Sequence, residues 1–470
     1  MKKTAYRNNE GTFSSFFTGP IYPIVIAIIM IAAYHTSEEV TLNVLNLGLA
    51  SLGLLTTRSI KPLIPVFICY LYQFSPETGI DTLEGLGWLL SGWRLALYII
   101  SFGLFILAII SNMRRNGALG SEELRAIPYP IAALILSVAF LLNGVLGGEW
   151  LPASLGYGFA QILTFFVFFY LFYLGLKNED GRALASYLAY CSAICAVVIS
   201  VNMVSYIITD DSFLVDGTFL RHQFKIGFGN VNTVGQNLAV LIPMIFYGAM
   251  KNRAPLLYFG TSLLCVAGIA VTLSRNAWII GGVAFVLCFI IAAFVGERKR
   301  LFRVLLPLFA LACLAAVILY GDVLYELFKV NFIRGFDDNG RFELWNYGIE
   351  EFLTAPIFGK GFYALDLFEP YGFPLMVHNT VIELLAAMGV FGLLAYGFYR
   401  IATIKPFLKH PTLAKSMLGL SILIVLVGSL LDNFIFYIPH MLYYPIALAV
   451  AFRIYNEETE VGKMFGYGWY

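Results

Sequence analysis

Charge is the first scarcity in this sequence. Only 13% of its 470 residues are Asp, Glu, Lys or Arg, against roughly 25% in soluble globular chains. That excludes an ordinary water-soluble domain. The net charge is +1, with no surplus of either sign, and no nucleic-acid partner is expected. Cysteine is sparse as well. Cys69, Cys191, Cys195, Cys265, Cys288 and Cys313 all fall inside apolar runs, where they read as small packing residues rather than metal ligands or disulfide partners. There is no internal repeat of useful strength and no low-complexity segment. The basic N-terminus, MKKTAYRNNEGTFSSFFTGP, leads into an apolar run without a convincing small-residue cleavage site, so an uncleaved first span is expected.

Apolar residues are what the chain has in abundance. They make up 59% of it, and the mean hydropathy is +0.79. The expected class is an all-α polytopic membrane protein. A spanning helix needs about 20 mostly apolar residues. Candidate spans lie at 19–34, 41–57, 60–74, 93–112, 126–146, 152–176, 183–207, 233–250, 254–273, 276–295, 303–321, 379–400, 415–436 and 441–455. That is about fourteen; the third and last are short, so the expected range is 12–14. With the N-terminus inside, 22 of the 30 Lys and Arg fall in inner segments, as the positive-inside bias requires. The other 8 are Arg94, Arg221, Lys225, Arg275, Lys329, Arg334, Arg341 and Lys360. Both termini are then cytoplasmic. The chain divides into N-terminal helices (1–207), an outer loop (208–232), helices carrying a Ser-Arg hairpin (233–321), a large outer loop (322–378) and C-terminal helices (379–470).

Long loops in a compact protein are uncommon and often functional. In 322–378, the stretch DDNGRFELWNYGIEEFLTAPIFGKGF has Phe342, Trp345, Ile349 and Leu353 at helical spacing. Arg341, Trp345 and Gly348 share a face of the expected amphipathic helix, with Asp338 or Asn339 as its cap and Pro356 closing it. An arginine in a first turn runs against the helix dipole, and a bound anion would explain it. Gly359 and Gly361 predict a tight turn around Lys360. In TLSRNAW (272–278) two spans meet with almost no loop, so Arg275 sits at the outer surface, where a charge marks a site more often than not. His378 stands where the large loop re-enters the membrane. Asn379 follows it, and Glu383 lies deeper as a rival base or an orienting group. Gly389 and Gly392 predict close helix packing. Arg221 and His222 add cations to the same side.

Two arginines and a histidine make a coherent chemical set. Guanidinium groups pair with phosphate oxygens in a forked geometry and stabilise charge on a leaving diphosphate. A histidine can take the proton of a hydroxyl nucleophile. The aspartate pairs at 210–211 and 337–338 are a weaker metal-binding alternative, because no third ligand is suggested by spacing. No metal and no cofactor are expected.

SRNAW (274–278), NGRFELW (339–345), PIFGKGF (356–362) and HNTVIELLAAMGVFGLLAYG (378–397) resemble the O-antigen ligase and O-antigen polymerase superfamily of bacterial envelope proteins. GFGNVNTVGQNLAVLIPM (227–244) is similar to that family's Asn-rich start of a helix. The resemblance covers roughly residues 220–400. It implies a metal-independent glycosyltransferase that takes a glycan from undecaprenyl diphosphate and joins it to a sugar hydroxyl on the outer face of the cytoplasmic membrane. By this analogy His378 is the base, Arg275 and Arg341 hold the diphosphate, and Arg221, His222, Trp345, Lys360, Asn379 and Glu383 line the substrate. The implied partners are the lipid-linked oligosaccharide, a glycan acceptor, the bilayer and, for a polymerase, a chain-length regulator. Polymerase is slightly favoured over ligase. The rival class is a lipid-linked oligosaccharide flippase, which should show related halves and paired interrupted helices; the sequence shows neither.

Overall fold

The computed structural model describes residues 12–36, 39–70, 92–147, 152–209, 214–215, 218–219, 231–329, 340–362, 377–436 and 438–464. Apart from a two-residue antiparallel ribbon, Leu214–Val215 with Thr218–Phe219, their regular structure is helical. A chain this apolar has little choice. In hydrocarbon each backbone N–H and C=O must be satisfied within its own segment, and a helix does so.

Seven helices among the described residues are long and apolar enough to cross a membrane: Leu95–Arg115, Ser154–Gly175, Gly181–Thr209, Asn232–Lys251, Arg275–Phe294, Lys299–Asp322 and Thr380–Leu408. Five more are apolar but shorter, at Ile21–Thr36, Val44–Thr56, Pro130–Leu141, Pro255–Val271 and Leu413–Gly428. The last helix, Ile438–Met464, is buried along most of its apolar half. Of the third expected span, the described part is a short turn, Leu63–Pro65, running into a π-turn, Val66–Tyr70.

The helix Val231–Lys251 is the centre of the bundle. It packs against Gly181–Thr209, Pro255–Val271, Arg275–Phe294 and Leu413–Gly428. Small residues permit the close approach: a Cβ on Gly235 would meet that of Ala277 at 2.7 Å, and one on Gly268 would meet Leu238 at 2.6 Å.

Side-chain contacts sort the segment ends into two groups. At one end Arg115 donates to the Leu54 and Leu55 carbonyls, Lys177 pairs with Glu123, and Lys251 pairs with Glu297. The Arg453 Nε donates to the Glu179 carbonyl, and the buried Lys415 ammonium meets Glu458 at 2.7 Å. Every one of these segments is an expected inner segment. At the other end lie the outer segments around Asn143, Arg275, Gly359 and His378, described next.

The helix Thr380–Leu408 is broken at Gly389, whose φ of 66° and ψ of −167° are not helical. The sequence reading took Gly389 as a helix-packing residue; here it marks a break. A break frees two carbonyls and two amides inside the bundle, each costing about 1–3 kcal/mol if left unpaired. The PIFGKGF segment takes all four. Lys360 N and Gly361 N donate to the Ala386 and Ala387 carbonyls at 2.8 and 3.0 Å, while Val390 N and Phe391 N donate to the Pro356 and Ile357 carbonyls at 2.9 and 3.2 Å. Gly144 N donates to the Phe358 carbonyl, and Phe362 N to the Asn143 side chain, fixing the segment's other edge. The expected turn is present, with Gly359 N donating to the Ala355 carbonyl at 2.9 Å and Gly359 and Gly361 both at positive φ, and it is docked into a helix break.

Candidate functional site

Three successive carbonyls at the end of the Leu413–Gly428 helix tie the site together. The Asn276 side chain donates to Gly428 O at 3.0 Å, Thr380 N to Ser429 O at 2.9 Å, and the Asn379 side chain to Leu430 O at 3.1 Å. The SRNAW and HNT motifs thus meet on one turn, although about a hundred residues separate them. Ser274 caps the Arg275–Phe294 helix, its hydroxyl accepting from Ala277 N. Asn379 caps the Thr380–Leu408 helix, its carbonyl accepting from Val381 N and Ile382 N. Arg275 and His378 flank these caps.

His378 is held in a left-handed backbone conformation, φ 54°. A non-glycine residue persists there only where its surroundings over-determine it, as sites commonly do. Its Nδ1 pairs with Asp432 Oδ1 at 2.9 Å, and Asp432 is 1% exposed. The other carboxylate oxygen of Asp432 accepts from Gln236 Nε2 at 3.2 Å. An ionised carboxylate on Nδ1 makes that nitrogen the protonated one and leaves Nε2 with the lone pair.

Glu383 is buried, and its Oε2 accepts from Val377 N at 2.9 Å and from Asn433 Nδ2 at 3.0 Å. It holds the returning loop and the Asp432 segment at one level, which is a positioning arrangement.

Arg341 opens the helix Arg341–Thr354, so both arginines stand at helix N-termini, where backbone N–H groups also favour an anion. The residue in the cap position is Gly340 in a left-handed turn, not Asp338 or Asn339, which lie outside the described residues. The apolar stripe is split. Leu344 and Gly348 pack inward, a Cβ on Gly348 meeting Ile382 at 2.7 Å, while Phe342, Ile349 and Leu353 stay exposed. Arg341 lies two turns ahead of Gly348 on that inward face, toward the His378 end. Trp345 is edge-on to Phe342, and its buried Nε1 has no hydrogen-bond partner among the described residues. Lys360 pairs with Glu351 at 3.6 Å, further along the same helix pair. Arg221 and His222 lie outside the described residues, as do the two aspartate pairs. Among the described residues no cluster of three His, Cys, Asp or Glu could hold a metal.

Sequence reasoning missed Asp432 and Gln236. The signal was present in LLDNF (430–434), an aspartate at the end of an apolar run. It also missed a set of bare acceptors. Gln236, Asn276 and Asn433 each commit their amide nitrogen to a carboxylate or carbonyl, so the unpartnered atom of each among the described residues is its oxygen. Acceptors of this kind suit O–H donors and not a phosphate.

The fold describes a multi-pass membrane protein with a His–Asp pair at one end of its bundle, and with Arg275 and Arg341 each opening a helix. Residues 260–397 match the family model of the O-antigen ligase. That segment is what the chain shares with the O-antigen ligase family. The matched segment includes Arg275, Arg341, His378 and Gly389 and ends before Arg400 and Asp432. No curated protein matches the chain.

Proposed function

We propose that this protein transfers a glycan from undecaprenyl diphosphate to a sugar hydroxyl on the outer face of the bacterial cytoplasmic membrane, as a polymerase or, by the same chemistry, as a ligase. The observation that carries this reading is the pairing of His378 with the buried Asp432 beside the turn that also anchors Asn276 and Asn379. In the reaction, the acceptor hydroxyl oxygen attacks the anomeric carbon of the donor. Its proton passes to His378 Nε2, and the bond to the diphosphate breaks. The electron pair leaves with undecaprenyl diphosphate. Asp432 keeps the imidazole in the right tautomer and stabilises its charged form. Arg275 and Arg341 clamp the diphosphate. The substrates are the lipid-linked oligosaccharide and a glycan acceptor, and a chain-length regulator is the natural partner of the polymerase form. The match to the O-antigen ligase family supports transfer over transport, as does the filling of the break at Gly389 by the chain's own segment.

The deciding experiment gives purified protein lipid-linked oligosaccharide alone and resolves the products on a gel. A ladder identifies a polymerase. One product that needs a second acceptor identifies a ligase. Lipid movement across vesicles with no product would overturn transfer altogether.

The topology belongs to the same proposal: fourteen spans, both termini cytoplasmic, and 322–377 outside. A cysteine introduced at Phe368 should react with an impermeant reagent in intact cells, and one at Pro411 should not. Labelling at Pro411 would invert the orientation.

The shared clamp makes a further prediction. Lysine keeps the charge of arginine but loses the planar fork, so Arg341→Lys and Arg275→Lys should each lower turnover by about tenfold or more while expression is normal, since a charge-assisted bond contributes about 1.5–3 kcal/mol. Full activity in both variants would exclude a common diphosphate clamp.

A further inference from the structure

The segment 322–377 reads as an outer loop, yet the helix Arg341–Thr354 within it runs alongside Thr380–Leu408 and in the same direction. A Cβ on Gly348 would meet Ile382 and Val377, and nine residues later the Ile357 carbonyl lies against the break at Gly389. The neighbouring helices give the depth. Asn276 and Thr380 bond to the successive carbonyls of Gly428 and Ser429, so Arg275–Phe294 and Thr380–Leu408 begin at one level. Arg275–Phe294 has 20 residues, about 30 Å at 1.5 Å per residue, which is the thickness of a hydrocarbon core. That shared level is therefore the outer boundary of the hydrocarbon. Gly389 is nine residues along from Thr380, about 13 Å inside that boundary, and Ile357 is there with it.

The residues along this descent are graded to match. At about 100° per residue the helix has three sides. Leu344 and Gly348 face the bundle, Glu343 and Glu350 lie on an exposed polar side, and Phe342, Ile349 and Leu353 form an exposed apolar side. The charges stay near the top. After Glu351 the stretch FLTAPIFG (352–359) has none, and the Thr354 hydroxyl donates to the Glu351 carbonyl at 2.7 Å. Glu351 itself pairs with Lys360, as an ion at membrane depth requires. Leu353 and Ile357, at the deep end, are 67% and 59% exposed. Irregular backbone is tolerated at such depth only where protein supplies its partners, and the break at Gly389 supplies four to the turn at 356–361. The exposed apolar side also continues a lipid-facing surface. Val390, Leu394, Phe398 and Ile401, on the spanning helix just below, are exposed as well.

We propose that residues 349–361 are a re-entrant segment that dips into the outer leaflet, with Ile349, Leu353 and Ile357 against acyl chains. The partner of this surface is the hydrocarbon of the bilayer. This placement rests on the outward topology given under Proposed function, and it deepens the role of Arg341. That residue starts the same helix about 10 Å above Gly348. The dip thus anchors its guanidinium on the headgroup side of the boundary, where a lipid-borne diphosphate lies.

The test uses the full-length protein in nanodiscs of phosphatidylglycerol and phosphatidylcholine, with the exposed Cys313 replaced by alanine. One nitroxide is attached to a cysteine introduced at Glu343, Leu353, Ile357 or Leu394. Collisions with dissolved oxygen, which concentrates in hydrocarbon, are compared with collisions with a water-soluble nickel chelate. The oxygen-to-nickel ratio should rise several-fold from 343 to 353, and 357 should match 394, the lipid-facing reference. Preference for nickel at 353 and 357 would show water on this side, and exclusion of both reagents would show protein on it. Either result overturns the dip. A second pair of variants needs no label. Leu353→Glu puts a charge at depth and should lower the thermal midpoint in nanodiscs, whereas Asn346→Glu, two residues above Gly348, should not. Equal midpoints for the two would also overturn it. The collision ratios are read without substrate, so a failure of glycan transfer leaves them unchanged, and a failed dip leaves the transferase reading untouched.

Discussion

His378→Ala should give no visible glycan product from a protein that still folds and still binds its lipid-linked substrate. Loss of a general base typically costs about 10²–10⁴-fold in rate, and nothing among the bare acceptors around Asp432 can replace an imidazole. Binding survives because the arginines, not the histidine, hold the diphosphate in this mechanism. The partner of His378 supplies a second, graded test. Asp432→Asn keeps an oxygen to accept from Nδ1 but removes the negative charge that stabilises the imidazolium, so it should fall between parent and His378→Ala. Its effect should appear in turnover more than in substrate affinity. Asp432→Leu leaves Gln236 and His378 without their acceptor and should lower folding stability as well. The measurement is single-turnover product formation with folded protein quantified in parallel. Suppose instead that His378→Ala works within a few-fold of the parent while Glu383→Gln is folded and dead. The base would then be Glu383, and His378 an interfacial residue at an unusual backbone angle. The geometry argues against that outcome, because one Glu383 oxygen already accepts both a backbone amide and the Asn433 side chain.

How much of this was legible in the sequence depends on whether local pattern or tertiary pairing carried the signal. Apolar run length located the helices, because a membrane helix satisfies its own backbone and needs little from its neighbours. Arg275, Arg341 and His378 could be singled out for a related reason: a charge or imidazole beside an apolar run is costly enough to need an explanation. Asp432 carried the same signal and was passed over, since it lies in the turn ending a span and its partner is 54 residues away. The meeting of Asn276 and Asn379 on carbonyls 428 to 430 has no local trace at all. It depends on which helices are neighbours, and no periodicity encodes that. Glycine was ambiguous for a different reason. Gly389 in an apolar helix reads equally as a packing notch or a break, and what distinguishes them is a loop segment some thirty residues earlier. Lys360 was placed on the substrate by the family resemblance, and its pairing with Glu351 at 3.6 Å had no trace in the sequence.

The docked turn at 356–361 carries the largest expected effect on folding. Gly359→Ala would put a methyl 2.2 Å from the Ala387 carbonyl carbon and 2.4 Å from Met388 N, and Gly389→Ala would put one 2.3 Å from the Ile357 carbonyl oxygen. Those are backbone atoms held by the four hydrogen bonds of the break, so no side chain can rotate away to make room. Both glycines also sit at positive φ, where any other residue bears about 1–2 kcal/mol of strain. Relief requires the docked turn to leave the break, and that would strip partners from two amides and two carbonyls inside the bundle. Each variant should therefore lose well over the 4–5 kcal/mol that marks an exceptional substitution, and should fail to accumulate as a monodisperse, folded membrane protein. Gly103→Ala is the matched control, in the helix Gly92–Arg115, where a Cβ would meet nothing within 4 Å. It should express normally with an unchanged or slightly raised thermal midpoint, since alanine is the better helix former by about 1 kcal/mol. If Gly359→Ala or Gly389→Ala matched that control in yield and midpoint, the turn could not be docked as described. The contrast with His378→Ala also separates scaffold from chemistry. The glycine variants should lose activity because folded protein disappears, whereas the histidine variant should lose it with folded protein still present, and a size-exclusion profile read beside a turnover assay distinguishes the two.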